Sequence, residues 1–299
     1  MITVLGSINM DLIATVDRLP DPGETVAGHG FATAAGGKGA NQALAARRAG
    51  ASVRMCGAVG QDGFAEPALH HLAQAGVGLS EVRRVETPTG TAHILVDRTG
   101  ENQIVVVSGA NAAVTAGDAD NAIAVMSGGD HLLLQLEIPT TAIRTAMQDA
   151  RQRGVITVLN IAPMTDAAGD LAAHADIVIA NETEFDLLAG RGPLSSDQRE
   201  KALMKRHGET GQTLIVTLGA DGVIAARDGS LHTAPGLAID PVDTVGAGDT
   251  FCGYLAADLD RGHGFGTALR RAAIAGSLAC LKPGAQPSIP MESDVNEAS

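Results

Sequence analysis

Aromatic side chains are almost missing from this sequence: they make up 2% of its 299 residues, with a single Tyr and no Trp. Recognition of nucleic-acid bases by stacking on aromatic platforms therefore has little material to work with. Positive charge is also in deficit, because 21 Lys and Arg face 34 Asp and Glu, a formal net charge of −13. Such a chain repels a phosphate backbone and offers no basic patch to a membrane. Cysteine is scarce as well. Cys56, Cys252 and Cys280 are widely spaced with no C-x-x-C pair, which suits a reduced cytosol and supplies no zinc framework. No run of 18 apolar residues occurs, so no membrane-spanning helix is expected. The apolar run "ITVLGSI" begins at residue 2 without a basic start or a cleavage site, so no secretory leader is expected and the expected location is cytoplasmic.

Apolar content of 45% against 18% charged is the composition of a folded globular chain. Short β-rich runs at 2–8, 53–59, 131–136, 155–161, 177–180 and 213–218 alternate with Ala-rich or amphipathic stretches such as 39–50, 65–76 and 140–154. That alternation predicts a mostly parallel sheet with helices on both faces, an α/β fold. No repeat and no Pro/Ser-rich linker divides the chain, which reads as one domain, 1–299. Segments 12–34 and 91–108 break the rhythm. Each reads as two strands about a turn, at "PDPGE" and at Thr99-Gly100-Glu101-Asn102. They are expected to form a small antiparallel sheet projecting as a lid, the alternative being edge strands of the large sheet.

Polar residues collect just after the strands: "NMD" at 9–11, "GQDG" at 60–63, Glu137, "APM" at 162–164, "NETE" at 181–184 and "GADG" at 219–222. Open α/β sheets bind ligands outside the carboxyl ends of their strands. The dinucleotide fingerprint is absent after the first strand. "GGKGAN" at 36–41 approaches a Walker motif, but Ala32 stands at the leading Gly and Gly39 at the Ser/Thr. "VDTVGAGDTF" at 242–251 places Gly246, Ala247 and Gly248 before Asp249 at the start of a helical run. A glycine turn opening a helix attracts anions. Taken alone it is more often a tight turn with Asp249 as N-cap. A carboxylate beside an anion nest makes chemical sense as a general base, taking a proton from a hydroxyl that attacks phosphorus while backbone N–H groups hold the phosphoryl oxygens.

The motifs "VLGSINMDL", "PGETV", "GGKGANQA", "TGTAHILVD", "GANAAVT", "QLEIP", "NETE", "TLGADGV", "DTVGAGDTF" and "PGAQPSIP", in that order over nearly the whole chain, resemble the ribokinase-like (PfkB-type) carbohydrate kinases. The resemblance implies a three-layer αβα sandwich with a small β lid and ATP-dependent phosphorylation of D-ribose at O5. It makes Asp249 the base and Gly246, Ala247 and Gly248 the anion hole. It assigns sugar binding to Asn9, Met10, Asp11, Gly37, Lys38, Gly39, Ala40, Asn41 and Glu137, together with Asp249. ATP would meet Asn181, Thr217, Leu218, Gly219, Ala220, Asp221, Gly222, Gly248 and Ala273, and Glu184 would organise Mg²⁺. K⁺ would be held by Asp243, Ser288 and the carbonyls of Val245, Ala279, Lys282 and Gly284. A homodimer through the lid is also implied.

Plainer readings stand beside these: an N-capped helix for "NETE", a β-turn for "TLGADG", and a turn-stabilising Asp243. His70, His71 and His93 match no metal spacing and read as surface or packing residues. Where relatives carry N-P-A-P, this chain has Ile161, expected to loosen the turn, and Ala273 stands where relatives place His or Asn near the adenine. The acceptor alternatives are 2-deoxyribose, another sugar or a nucleoside; the alternative of another class is a non-catalytic sugar-binding regulatory protein.

Overall fold

The computed structural model describes residues 1–299. Nine strands form the main sheet: β1 (Ile2–Leu5), β4 (Val53–Gly60), β5 (Gly78–Val85), β8 (His131–Leu134), β9 (Ile156–Asn160), β10 (Ile177–Asn181), β11 (Thr213–Thr217), β12 (Val223–Arg227) and β13 (Ser230–Ala234). Their spatial order is β13-β12-β11-β10-β9-β8-β1-β4-β5. All neighbours are parallel except the β11/β12 and β12/β13 pairs. The six expected runs are all strands. β5, β12 and β13 extend the sheet beyond them.

Alternation along the strands builds two cores. Ile2, Val4, Val53, Met55, Ile177 and Ile179 face one layer of helices: α1 (Lys38–Arg48), α2 (Ala65–Ala75), α8 (Ala247–Asp260), α9 (Phe265–Ala279), α10 (Ala285–Ser288) and α11 (Glu292–Glu297). Leu5, Cys56, Leu132, Leu134, Val178 and Leu214 face the other layer: α3 (Ala116–Ala124), α4 (Thr140–Arg153), α5 (Ala168–Ala172), α6 (Glu182–Leu188) and α7 (Ser196–Thr210). The period of two sends neighbouring residues to opposite cores, so both faces of the sheet are apolar. The result is a three-layer sandwich.

A second sheet, of order β3-β2-β6-β7, is built from β2 (Asn9–Val16), β3 (Gly28–Gly36), β6 (Gly90–Val96) and β7 (Asn102–Val107). It is the projecting lid, and its two hairpins are antiparallel as expected. They join through a parallel pair, β2 with β6. The lid starts earlier than residue 12, because Asn9, Met10 and Asp11 are already its first rungs.

The chain runs from β1 to β4 on one side and returns to β8 on the other. This reversal leaves a crevice at the carboxyl ends of β1 and β8, the place where open α/β sheets bind ligands.

Candidate active site

Three stretches converge on that crevice from β1, α1 and β8. Ser7, after β1, donates to Glu137 Oε2 at 2.5 Å and accepts from the Gly39 N–H at 3.3 Å. The Lys38 N–H also donates to Glu137 Oε2, at 3.2 Å. Gly37, the residue before α1, has φ +89°, and a Cβ there would lie 2.8 Å from Asn9 N, so the approach of α1 to β2 requires glycine. Asn111 holds the neighbouring corner, donating to Asn9 Oδ1 at 2.7 Å and accepting from Ile8 N–H at 2.9 Å. Burial, followed by the nearby Glu137 and Asp249 charges, pushes the Asp11 carboxyl up to about 6.

Asp249 lies in the first turn of α8, whose entry residue Gly246 is left-handed at φ +78°. A Cβ on Gly246 would come within 2.9 Å of the Ala285 side chain. Thr250 N–H closes the first helical bond onto Gly246 O, while the Gly248 and Asp249 N–H groups have no intrahelical acceptor. Asp249 does not cap the helix. Its carboxylate points across to α1, accepting from Asn41 Nδ2 at 2.9 Å on Oδ2 and from Gln42 Nε2 at 3.0 Å on Oδ1. A cavity of about 210 Å³ opens in front of it, lined by Lys38, Asn181, Glu184, Thr217, Gly246, Gly248 and Asp249.

Lys38 is the cation in this cavity. The Asp249 charge first, with help from Glu137 and Glu184, raises its ammonium pKa against the opposing effect of burial. Burial raises the Glu184 carboxyl, which is partly restrained by the Asn181 N–H and by Lys38. Asn181 and Glu184 form a reciprocal capping box on α6, so the plain capping role is present and coexists with their place in the cavity.

Not every predicted residue presents its side chain here. Strand alternation turns Met10 away from Asn9 and Asp11, into a separate groove of about 830 Å³ against α2. Ala40 is fully buried in the core. Leu218, Gly219, Ala220, Asp221 and Gly222 form the turn after β11; of that region only Thr217 lines the small cavity. Gly222 packs on the chain at Ala234–Gly236, and Leu237 N–H reaches Ser277 Oγ on α9, one turn beyond Ala273.

Asp243 ties the loop before α8 to the loop before α10. Its Oδ1 accepts from Val245 N–H at 3.0 Å and its Oδ2 from Gly284 N–H at 2.8 Å. Ser288 is buried and donates to Ala285 O. No cluster of three His, Cys, Asp or Glu side chains forms a metal centre, and His70 and His71 pack edge to face beside the large groove. Ile161 does not loosen its turn. It is fully buried and its N–H donates to Ile179 O at 3.0 Å, a bond that a proline could not make.

Asn160, Thr244 and Cys252 also line the cavity without having been singled out from the sequence. Asn160 ends a strand, and its polarity at that point was the available signal. Cys252 lies three residues after Asp249, hence on the same helical face.

Residues 1–292 match the pfkB family carbohydrate kinases. The chain belongs to that family. It is 37% identical over 297 residues to ribokinase from Haemophilus influenzae, covering 99% of this chain and 97% of the relative. Ribokinase from Bacillus subtilis is also 37% identical over 297 residues, with 99% and 98% covered. The structure of Arabidopsis thaliana ribokinase complexed with ribose and ATP superposes with a TM-score of 0.88 at 32% identity, covering 99% and 97% of the two chains. A deoxyribokinase from Salmonella typhi is 31% identical over 300 residues, with 99% and 97% covered.

Proposed function

We propose that this chain transfers the γ-phosphoryl group of ATP to O5 of D-ribose, giving ribose 5-phosphate. The observation that carries the reading is the position of Asp249. It stands at the boundary between a corner of hydrogen-bonding side chains and a cavity fronted by free helix N–H groups.

In this reading Asn9, Asp11, Lys38, Asn41 and Glu137 hold the sugar, whose hydroxyls need both acceptors and donors. The backbone of Met10, Gly37, Gly39 and Ala40 shapes the same corner. The O5 hydroxyl takes the place of Asn41 at Asp249 Oδ2. Asp249 accepts its proton as O5 attacks phosphorus, and the bond from the γ-phosphorus to the bridging oxygen of ADP breaks. The N–H groups of the 246–248 turn stabilise the phosphoryl oxygens. The 217–222 turn and the Ala273 face of α9 receive the rest of the nucleotide. The lid closes over the sugar and keeps water from accepting the phosphoryl group.

The charge balance of the cavity fits metal cofactors. Glu137, Glu184 and Asp249 share one ammonium and Asp11 adds a fourth carboxyl against Glu137 and Asp249, so a triphosphate entering unaccompanied is repelled. Glu184, together with phosphate oxygens and water, would hold Mg²⁺, which tolerates few protein ligands. When bound it neutralises phosphate charge. The oxygen-only set of Asp243, Ser288 and the carbonyls of Val245, Ala279, Lys282 and Gly284 suits K⁺; Asp243 keeps free lone pairs beyond its two N–H bonds.

The exposed apolar row Ile104, Val105, Val106 and Val107 on the edge strand β7, with Phe31 on β3, suits pairing of two lids in a homodimer. The chain acts as one kinase domain, 1–299. No helix is long and apolar enough to cross a membrane, and the cytoplasm is the proposed place of action.

A coupled assay for ADP release, with Mg²⁺ and K⁺, across ribose, 2-deoxyribose, hexoses and nucleosides tests the reading. Ribose is expected to lead in kcat/KM by about tenfold or more, because a site built to pair each hydroxyl penalises a missing one. Equal rates with 2-deoxyribose would defeat ribose specificity. Tight ribose binding without ADP release would turn the protein into a non-catalytic sugar sensor.

A further inference from the structure

Asp249 is held from two sides, and the two holds differ. Asn41, assigned to the sugar in the reading above, bonds Asp249 Oδ2 with its Nδ2 and leaves its own Oδ1 buried without a partner. Gln42, next in α1, is 1% exposed. Its Nε2 donates to Asp249 Oδ1 at 3.0 Å and lies 3.3 Å from Asn160 Oδ1. Its Oε1 accepts from Gln135 Nε2 at 2.6 Å. Asn160 in turn donates to Ile179 O at 3.2 Å. A chain of buried amides thus runs from the ends of β8, β9 and β10 to one oxygen of the carboxylate. Both ends of the Gln42 amide are engaged, so its orientation is determined by the network rather than free to flip.

We propose that Gln42 is a positioning residue for phosphoryl transfer: it pins Asp249 Oδ1 so that Oδ2, once Asn41 lets go, is the oxygen that meets the sugar hydroxyl. The proposal rests on Asp249 being the base. It explains why two consecutive amides both reach the same carboxylate: Asn41 is exchanged when sugar enters, and Gln42 stays. A carboxylate held by Asn41 alone would be free to rotate at the moment of sugar entry, and orientation is a large part of what a general base contributes.

Two variants test this beside Asp249→Asn. Gln42→Met keeps the length and removes the amide. It is expected to lower kcat about tenfold to a hundredfold while KM for ribose stays within about twofold. In the Asp249→Asn background the same change should add nothing, because residues acting as one unit are not additive. An equal loss in both backgrounds, or a loss in KM alone, overturns the proposal and leaves the base assignment standing. Near-normal turnover in Asp249→Asn alone removes the base and the proposal with it.

Gln42→Glu covers the case in which the Met variant does not fold. It places a second carboxyl against Asp249, and the acid limb of the kcat profile should move to higher pH by about one unit or more. The other groups facing Asp249 are Lys38 on α1, Asp11 on β2, Glu184 on α6 and Cys252 on its own helix, with Glu137 behind Lys38 and Asp11. All are unchanged in the variant. An unmoved limb overturns the proposal.

Discussion

The two ends of the main sheet both bury carboxylates, and they treat them in opposite ways. At the amino ends of the strands, Asp258 is fully buried between the Arg271 guanidinium and the His263 imidazole. Arg271 Nε donates to it at 2.8 Å, and His263 Nδ1 lies 2.9 Å away. Nearby, His131 Nδ1 faces Asp260 at 3.3 Å, although burial lowers the His131 pKa against that pull. At the carboxyl ends, Glu137, Glu184 and Asp249 act on Lys38, and Asp11 lies against Glu137 and Asp249. The same helix, α8, contributes Asp249 at its start and Asp258 near its end. Pairing at one end serves the fold. The acids at the other end outnumber the one ammonium among them, a surplus that the proposed cations would offset.

Removing an acid should therefore have opposite effects on stability at the two ends. The largest change is expected for Asp258→Ala, which leaves Arg271 buried without its partner and costs about 3–5 kcal/mol. Calorimetry should show a marked fall in Tm, with the ribose KM of the folded enzyme unchanged. A Tm within error of the parent would mean the pair is not structural. Asp11→Asn should do the reverse. The Asp11 carboxyl keeps its proton to about pH 6 in the fold but only to about 3.8 when unfolded. Between those values the native state holds more protons, so stability falls as pH rises through the window and the whole penalty is present above it. The Asn variant should thus be more stable than the parent by about 2–3 kcal/mol at pH 8 and no more stable near pH 3. Its ribose affinity should fall, since an acceptor is lost. A gain of the same size at both pH values would refute the electrostatic account.

The contrast between the ends was only half legible in the sequence. Polar residues after apolar runs announced the carboxyl end, because a strand buried on both faces admits few of them and each one stands out. The amino end carries no motif. Asp258 and Arg271 are 13 residues apart on two helices, and only their packing brings them together. For the same reason the Gln42–Asp249 bond, 207 residues apart, could not be read, although Gln42 adjoins the noted Asn41.

Some of the fold was missed for other reasons. β5 is a half-exposed edge strand rich in charge, so its pattern is weak. The β12/β13 hairpin did carry a signal, the Asp228-Gly229 turn with φ +50° and +72° between two β-rich runs. Reading "NMDL" as a strand would have turned Met10 away from Asn9 and Asp11 at once.

The smallest effect should come from the cation loop, and it bears on why the acidic end works at all. Asp243 joins the 243–245 turn to the 282–285 turn through two N–H bonds, and Gly246 sits between that junction and α8, against Ala285. A cation bound to the surrounding carbonyls would reach the phosphate only indirectly, by ordering the glycine turn whose N–H groups face the cavity. Its effect should therefore fall on kcat and remain below about tenfold, since the N–H groups exist without it. Exchanging choline for K⁺ should raise kcat in the parent, and the stimulation should vanish in Asp243→Ala while ribose KM holds. A parent enzyme equally fast in choline would place the full burden of charge balance on Lys38 and the Mg²⁺ proposed at Glu184. The acidic end would then be tolerated without a second cation.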